Sequence, residues 1–191
     1  MKDKLPPHHL VPRIDSGFLD DEDRRIASEI GRDYNGIEVS LITVLKGAVP
    51  FAQNIDRELK LLSKKPSRII YDAFKVSSYG EDDKSNGNPE ISTPLSNPLK
   101  SIKGKDVILL EDVVDKGYTM YLSALPYILE HEPNSLFIAT MLTKNAQRDP
   151  IANNLPVKYS GIDIDFFAVR RGLDWKEHYR EGSNICEVII H

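Results

Sequence analysis

The 191-residue chain contains a single cysteine, Cys186, which excludes an intrachain disulfide. This cysteine lies in an apolar C-terminal run, where we expect a small buried residue rather than a nucleophile. The scarcity of cysteine favours a reducing, cytoplasmic location. No apolar run approaches the roughly 20 residues that a membrane-spanning helix needs. The polar segment from Met1 to Arg13 lacks an apolar signal-peptide core and is expected to form a flexible tail.

Histidine clusters and net positive charge are also missing. The five histidines show no metal-ligand spacing, which argues against a zinc site. The net charge of −4 does not indicate a nucleic-acid-binding surface. Hydrophobic residues make up 40% of the chain and charged residues 28%, which is typical of a soluble globular protein. The length favours one domain, which we assign to residues 14–191.

Apolar segments alternate with helical patterns along the chain. Strands are predicted over Val39–Leu45, Arg68–Phe74, Asp106–Leu110, Ser135–Leu142, Asp165–Val169 and Ile185–Ile190. Helices are predicted over Asp20–Tyr34, from Pro50 to about Leu62, and from Thr119 to about His131, the last kinked or divided at Pro126. This alternation predicts an α/β fold with a mainly parallel central sheet flanked by helices. Residues 76–104 are rich in Ser, Asn, Gly and Pro and predict a long flexible loop.

Three carboxylates follow one of these strands. Glu111 and Asp112 come directly after the apolar run Val107–Leu110, and Asp115 follows three residues later. Open α/β sheets bind ligands outside the carboxyl ends of their strands. Gly117 to Thr119 then open a helix, whose N-terminus suits a phosphate. Because carboxylates repel a phosphate unless a cation or sugar hydroxyls intervene, the pattern predicts a ribose phosphate held with magnesium.

Other candidate residues are ambiguous when each is taken alone. Lys46-Gly47 ends the first strand, where glycine permits close approach and lysine can bind a phosphate, although a surface turn also explains it. Ser78-Tyr79 fits a lid tip or an ordinary polar loop. One of Phe166 and Phe167 could stack on a flat base while the other packs in the core. The remaining candidates are charges that could contact a ligand or solvent, namely Lys144, Asp174 and Arg180.

Taken in order, these segments resemble the 6-oxopurine phosphoribosyltransferases of the hypoxanthine-guanine type, over roughly Ile14–Ile190. Val107–Thr119 resembles the ribose-phosphate-binding motif of all such transferases. The purine branch is indicated by Leu45-Lys46-Gly47, Ser78-Tyr79, Lys144, Phe167, Leu173-Asp174-Trp175 and Arg180. The resemblance implies the type I phosphoribosyltransferase fold, with a small hood from the N- and C-terminal segments. It also implies transfer of the 5-phosphoribosyl group from phosphoribosyl diphosphate to N9 of hypoxanthine or guanine, giving IMP or GMP in purine salvage.

The resemblance implies roles for residues on the sugar-phosphate side of the site. Glu111 and Asp112 would bind the ribose hydroxyls, directly or through Mg²⁺, and Asp174 would bind a second Mg²⁺. Backbone N–H groups would wrap the 5′-phosphate, together with the Thr119 hydroxyl, along Lys116, Gly117, Tyr118 and Thr119. Lys46-Gly47, in a peptide that family members can make cis, and Arg180 would bind the diphosphate. Ser78 and Tyr79 would close over the site.

Further roles are implied on the purine side. Asp115 would be the general base that accepts the N7 proton of the purine. Lys144 would donate to the 6-oxo group, and Phe167 would stack on the ring. Backbone around Ala168 would read the other edge of the ring, and Asp174 is assigned to the same pocket.

Three positions depart from the family pattern. Lys116 stands where a threonine is customary, and Tyr118 replaces a more usual small or basic residue. Arg170-Arg171 replaces a glycine-plus-aromatic pair beside the purine pocket. Two bulky cations there could alter the contacts to the purine edge or serve an interface.

Two other functions remain open at this point. One is a non-catalytic or regulatory member, such as an RNA-binding attenuation protein of pyrimidine operons, and the other is a transferase for xanthine or adenine. Asp115 favours catalysis, and Lys144 favours a 6-oxo acceptor because an ammonium has no acceptor lone pairs. The resemblance further implies a homodimer or homotetramer that binds small-molecule substrates, with no nucleic acid or membrane partner.

Overall fold

The computed structural model describes residues 5–77 and 89–191. Its strands and helices lie, in chain order, at β1 His8–Ile14, α1 Ser16–Asp33, β2 Glu38–Leu45, α2 Val49–Leu61, β3 Arg68–Ser77, β4 Glu90–Thr93, α3 Pro98–Ser101, β5 Asp106–Val114, α4 Leu125–Leu129, β6 Ser135–Thr143, β7 Val157–Asp163, β8 Ala168–Val169 and β9 Ile185–Ile190. A π-helical turn at Met120–Ala124 leads into α4, and 3₁₀ turns lie at Asn145–Gln147 and Pro150–Ala152.

Two sheets organise the chain. The larger has the strand order β4-β3-β2-β5-β6-β7 and is parallel except for the pair β3–β4. The smaller is antiparallel, with the order β1-β9-β8, and joins the N- and C-terminal segments into a hood. These sheets confirm the predicted α/β fold with its mainly parallel sheet and small hood. The carboxyl ends of β2, β3, β5 and β6 therefore meet at one edge.

Hydrophobic cores cover both faces of the larger sheet. On β5, Ile108 and Leu110 pack in the core that contains α1 and α2, while Val107 and Leu109 pack in the core that contains α4. Burial on both faces explains why this strand is continuously apolar. In the described part of the chain, none of the helices combines the length and the hydropathy needed to cross a membrane.

Two segments expected to lack regular structure contain strands. Residues 8–13 of the predicted flexible tail belong to β1, which pairs with β9. Within the predicted loop at residues 76–104, β4 pairs with β3, and Asn97 caps α3. Both strands lie at sheet edges and carry polar or exposed residues, which weakens an apolar sequence signal. Ser78 and Tyr79 lie outside the described residues.

The strand predicted over Ile185–Ile190 is confirmed as β9, but the sequence misplaced the strands between β6 and β9. The strand predicted over Asp165–Val169 is confined to β8, and β7 was missed. Strand β7 is the last strand of its sheet, and only Tyr159 within it is fully buried. An edge strand with one buried side chain does not produce a continuous apolar run.

The helix predicted after Thr119 is divided at Pro126, as expected. The turn before it is π-helical, and the N–H of Leu125 bonds to the carbonyl oxygen of Met120. A proline ring clashes with the carbonyl four residues earlier and provides no N–H, so a wider turn before Pro126 accommodates it. The α-helical part ends at Leu129 rather than near His131.

Asp72, on β3, fixes the segment that links β4 to α3. Its carboxylate accepts hydrogen bonds of 2.9–3.2 Å from the backbone N–H groups of Ser96 and Asn97 and from the hydroxyls of Ser96 and Ser101. Burial acts to raise the pKa of Asp72, but hydrogen bonds from Ser96, Ala73 and Ser101 outweigh it and hold the pKa below its usual value.

We expect Asp72→Ala to lower the free energy of unfolding by about 1–3 kcal/mol, since it removes several hydrogen bonds to one charged group. Because the folded-state pKa is lowered, this stabilisation is present above the unfolded-state pKa and is lost as pH falls through the folded-state pKa. Urea denaturation at neutral and acidic pH measures both effects. Equal stability of the two proteins at neutral pH would contradict the assignment.

Candidate active site

The carboxyl ends of β2, β3 and β5 open into a cleft of about 970 Å³, which the hood borders on its other side. Glu111 and Asp112 lie within β5, because the strand extends to Val114 instead of ending at Leu110. Most of the predicted site residues line this cleft, namely Lys46, Gly47, Glu111, Asp112, Asp115, Lys116, Gly117, Tyr118, Thr119, Phe167, Asp174 and Arg180.

The cleft also contains residues that the sequence did not indicate. Lys75, Val76 and Ser77 line it from the end of β3, and Lys176 and Glu177 line it from the hood. The sequence signal for β3 stopped at Phe74, so Val76 and Ser77 were assigned to the loop and Lys75 to neither element. Had the strand been extended, its parallel pairing with β2 would have brought them to the same edge.

Lys144 lies close to both the predicted general base and the predicted stacking residue of the purine pocket. Its ammonium donates to Oδ2 of Asp115 at 3.0 Å and lies 5.8 Å from the ring centroid of Phe167. The Lys144 side chain is 8% exposed, whereas Phe167 is 48% exposed. An ammonium has three donors, so Lys144 can hold Asp115 and still donate to a ligand. Ala168 is buried in β8, next to Phe167 in the chain.

Two adjacent carboxylates form the floor of the cleft. The N–H of Asp112 donates to Oε1 of Glu111 at 3.1 Å, and the N–H of Val113 donates to Oδ1 of Asp112 at 2.8 Å. Burial of Glu111, together with the nearby charge of Asp112, raises the pKa of Glu111 well above its usual value. A Cβ atom at Gly47 would lie 1.6 Å from Oδ2 of Asp112, so only glycine fits there.

The carboxylates on this floor suit a hard cation. Mg²⁺ prefers oxygen ligands and usually takes one or two carboxylates together with phosphate oxygens of a substrate. Among the described residues, no three acidic, histidine or cysteine side chains converge into a complete metal cage. A cation bound partly by a substrate fits this arrangement, and its charge would offset the repulsion between Glu111 and Asp112.

The hood contributes further charged side chains to the cleft. Arg180 Nη2 lies 2.8 Å from Oδ1 of Asp174, and the N–H of Glu177 donates to Oδ2 of Asp174 at 2.7 Å. Lys46 Nζ lies 3.6 Å from Oε2 of Glu177, across the cleft from β2. A cis peptide bond joins Leu45 and Lys46. Cations from two separate segments therefore meet at this end of the cleft.

The segment from Lys116 to Thr119 is stabilised by hydrogen bonds to a residue outside it. The N–H of Asp149 donates to the carbonyl oxygen of Lys116 at 3.1 Å, and the hydroxyl of Tyr118 donates to Oδ2 of Asp149 at 2.5 Å. Gly117 has a φ of +84°, a conformation that favours glycine. The hydrogen bond from Tyr118 is the main cause that lowers the pKa of Asp149. The tyrosine that departs from the family pattern thus supports the turn.

The two arginines after β8 are engaged away from the cleft. Arg171 is buried and bonds to Asp20 and Asp23 of α1. Arg170 Nη1 donates to Oδ1 of Asn184 at 2.9 Å. Their side chains therefore do not crowd the purine edge beside Phe167, which was the concern raised by the sequence.

Several known proteins resemble this chain in sequence and in fold. Residues 19–176 match the family model described as the phosphoribosyl transferase domain. A hypoxanthine-guanine phosphoribosyltransferase of Dictyostelium discoideum is 36% identical over 171 residues, covering 86% of this chain and 89% of that protein. One from Mycobacterium tuberculosis is 36% identical over 168 residues, covering 84% and 76%. A solved hypoxanthine-guanine phosphoribosyltransferase from Bacillus anthracis matches with a TM-score of 0.79 and 27% identity, covering 96% of this chain and 100% of that one.

Proposed function

We propose that this chain, which belongs to the phosphoribosyltransferase family, acts as an enzyme of purine salvage. It transfers the 5-phosphoribosyl group from phosphoribosyl diphosphate to N9 of hypoxanthine or guanine, and the products are IMP or GMP and diphosphate. The observation that carries this proposal is the 3.0 Å contact between Lys144 and Asp115 beside the exposed Phe167 ring. A base, a donor and a stacking surface converge there, as a 6-oxopurine requires.

The sugar-phosphate part of the substrate lies along β5 and the turn after it. Glu111 and Asp112 bind the ribose hydroxyls, and the turn Lys116–Thr119 holds the 5′-phosphate through its backbone N–H groups. Lys46, Gly47 and Arg180 bind the diphosphate from two sides. Glu111 and Asp112 would hold one Mg²⁺ and Asp174 a second, and such ions would supply positive charge that offsets the charge of the departing diphosphate.

The purine part lies between Phe167 and the strand ends. Lys144 donates to the 6-oxo group, Phe167 stacks on the ring, and the backbone at Ala168 and the side chain of Asp174 contact its other edge. Asp115 accepts the N7 proton while the purine nitrogen bonds to C1 of the ribose. Positive charge develops on the ribose at that moment, and the carboxylates on the floor of the cleft favour it electrostatically.

An ultraviolet assay tests this function directly. Hypoxanthine, guanine, xanthine and adenine are each supplied with phosphoribosyl diphosphate and Mg²⁺, and nucleotide formation is followed. We expect turnover with hypoxanthine or guanine and none with adenine, because Lys144 cannot accept a hydrogen bond from a 6-amino group. If none of the four bases is converted, the result would contradict the proposed activity and support the non-catalytic alternative. The names of the relatives do not favour that alternative.

Gly47→Ala tests the contact between the turn that follows β2 and Asp112 of β5. The added methyl group displaces the Asp112 carboxylate, so we expect a loss of about 100-fold in kcat/KM for phosphoribosyl diphosphate. Gly104→Asn is the matched control, because a Cβ there meets no described atom within 4 Å and asparagine tolerates the positive φ. Equal activity of the Gly47→Ala variant and the control would place Gly47 outside the site.

We also propose a cytoplasmic location and a homodimer or homotetramer, as the family resemblance implies. Large apolar side chains remain exposed on the single chain, among them Leu61 and Leu99, each 75% exposed. Light scattering of the purified protein tests the assembly.

A further inference from the structure

Arg171 and Asp23 form an ion pair that is buried between the hood and α1. The Arg171 side chain is 6% exposed and that of Asp23 is 0% exposed. Asn54 of α2 donates to Asp23 Oδ2 at 2.8 Å, and Asp20 lies 3.3 Å from Arg171 Nη2. Burial raises the pKa of Asp23 to about 6, although Arg171 and Asn54 act to lower it. Asp23 therefore connects α1, α2 and the segment after β8.

Gly172, the residue after Arg171, packs the hood against the turn that follows β2. A Cβ at Gly172, whose φ is +96°, would lie 2.0 Å from the carbonyl oxygen of Gly47 and 2.9 Å from Cδ of Pro50. The backbone of Gly172 also holds Arg180: its N–H donates to the Arg180 carbonyl oxygen at 3.0 Å, and its carbonyl oxygen accepts from Nη1 of Arg180 at 2.7 Å. The Lys46-Gly47 turn and Arg180 thus meet at Gly172.

We propose that Arg171 is a positioning residue for diphosphate binding. Its buried ion pair with Asp23 holds Gly172 against Gly47 and thereby sets the distance between Arg180 and Lys46. This inference rests on the proposed function, because it takes this end of the cleft as the place of the diphosphate. Arg171 is not among the described residues that line the cleft, so it acts through Gly172.

The ion pair is suited to this role because each buried charge is unfavourable without its partner. A buried charge that loses its partner is strongly unfavourable, so either single substitution forces the segment after β8 to rearrange. Arg171 also stands where the family pattern has an aromatic side chain. The carboxylate with which it pairs, that of Asp23, is 148 positions away in the chain. The hood is thus attached to α1 by a directional contact, in addition to the apolar packing of Ala168, Leu173 and Ile185 in the core that contains α1 and α2.

Steady-state kinetics of Arg171→Met separates positioning from simple stability. We expect KM for phosphoribosyl diphosphate to rise by roughly 10-fold or more, as a displaced binding group does, while KM for the purine base changes little. Asp23→Asn is expected to act in the same direction. Arg171→Lys keeps the charge and should recover most of the lost affinity. Arg170→Met is the matched control, since Arg170 contacts only Asn184 through its described side-chain hydrogen bond.

A second measurement does not depend on turnover. Trp175 is the only tryptophan of the chain and lies in the hood, with backbone hydrogen bonds of 3.0 Å to His178. Its fluorescence is titrated with inorganic diphosphate in the presence of Mg²⁺. We expect the midpoint to move to roughly 10-fold higher diphosphate in Arg171→Met and to stay in place in Arg170→Met.

The outcomes decide the proposal. Unchanged KM and unchanged diphosphate midpoints in Arg171→Met and Asp23→Asn, even with lower melting temperatures, would overturn it. An equal effect of Arg170→Met would also overturn it. If Arg171→Met does not fold, Asp23→Asn and Arg171→Lys carry the same comparison. If the wild-type protein binds diphosphate but converts none of the four bases, the proposed function fails, and the diphosphate midpoints still decide the role of Arg171.

Discussion

Asp115→Asn is expected to reduce kcat by about 10²–10⁴-fold, the range that a general base contributes. Asparagine keeps the shape of the side chain and still accepts a hydrogen bond from Lys144, so the purine pocket should keep its geometry. It cannot accept the N7 proton, so the effect should appear in turnover and not in KM for phosphoribosyl diphosphate. Initial rates over a range of both substrates measure this separation.

The structure gives a reason to assign the base to Asp115 rather than to its acidic neighbours. Lys144 holds only one of its carboxylate oxygens, and Oδ1 is buried without a partner among the described residues. Asp165→Asn provides a control, because Asp165 is an exposed carboxylate two residues before Phe167. Wild-type turnover in the Asp115→Asn variant would remove the residue from the proton transfer.

Lys144→Met should lower kcat/KM for hypoxanthine and guanine by about 10- to 100-fold, because a hydrogen bond to a charged group contributes about 1.5–3 kcal/mol. Methionine keeps an apolar stem near Phe167 but cannot donate to the 6-oxo group. The substitution also leaves Asp115 without its cation, so kcat should fall together with the affinity for the base. Initial rates measured while each substrate is varied at a fixed concentration of the other show which KM is affected.

Lys158→Met is the control for this second variant. Lys158 is also paired with a carboxylate, Asp33, at 3.0 Å, but Asp33 lies outside the described lining of the cleft, whereas Asp115, the partner of Lys144, is part of it. We expect it to change stability without changing the kinetics. If Lys144→Met uses hypoxanthine and guanine as well as the wild-type protein does, Lys144 does not contact the purine.

The sequence predicts those parts of the site whose signal is local. The apolar run of β5, its two following acids and the glycine of the next turn lie within thirteen consecutive residues, and burial on both faces of the sheet explains the run. Pro126 likewise divides the following helix for a local reason, since it lacks an N–H. Such features can be predicted because each depends on residues that are close together in the sequence.

Contacts between distant segments were not predictable in the same way. The hood depends on pairing of β1 with β9, whose residues lie at opposite ends of the chain and include polar edge positions. The partner of Arg171 is Asp23, and nothing in either local sequence distinguishes that carboxylate from the neighbouring acids on α1. For Gly47 the sequence left open a close approach to a ligand or a surface turn, but its lack of a Cβ matters because the Asp112 side chain occupies that space.

The most direct test of the central claim is a crystal structure with guanosine 5′-monophosphate. Our account places the phosphate in the turn Lys116–Thr119, the ribose hydroxyls beside Glu111 and Asp112, and the base between Phe167 and Lys144. Electron density for the nucleotide at that position would support the account. Clear density at any other surface, with the strand-end cleft empty, would contradict it.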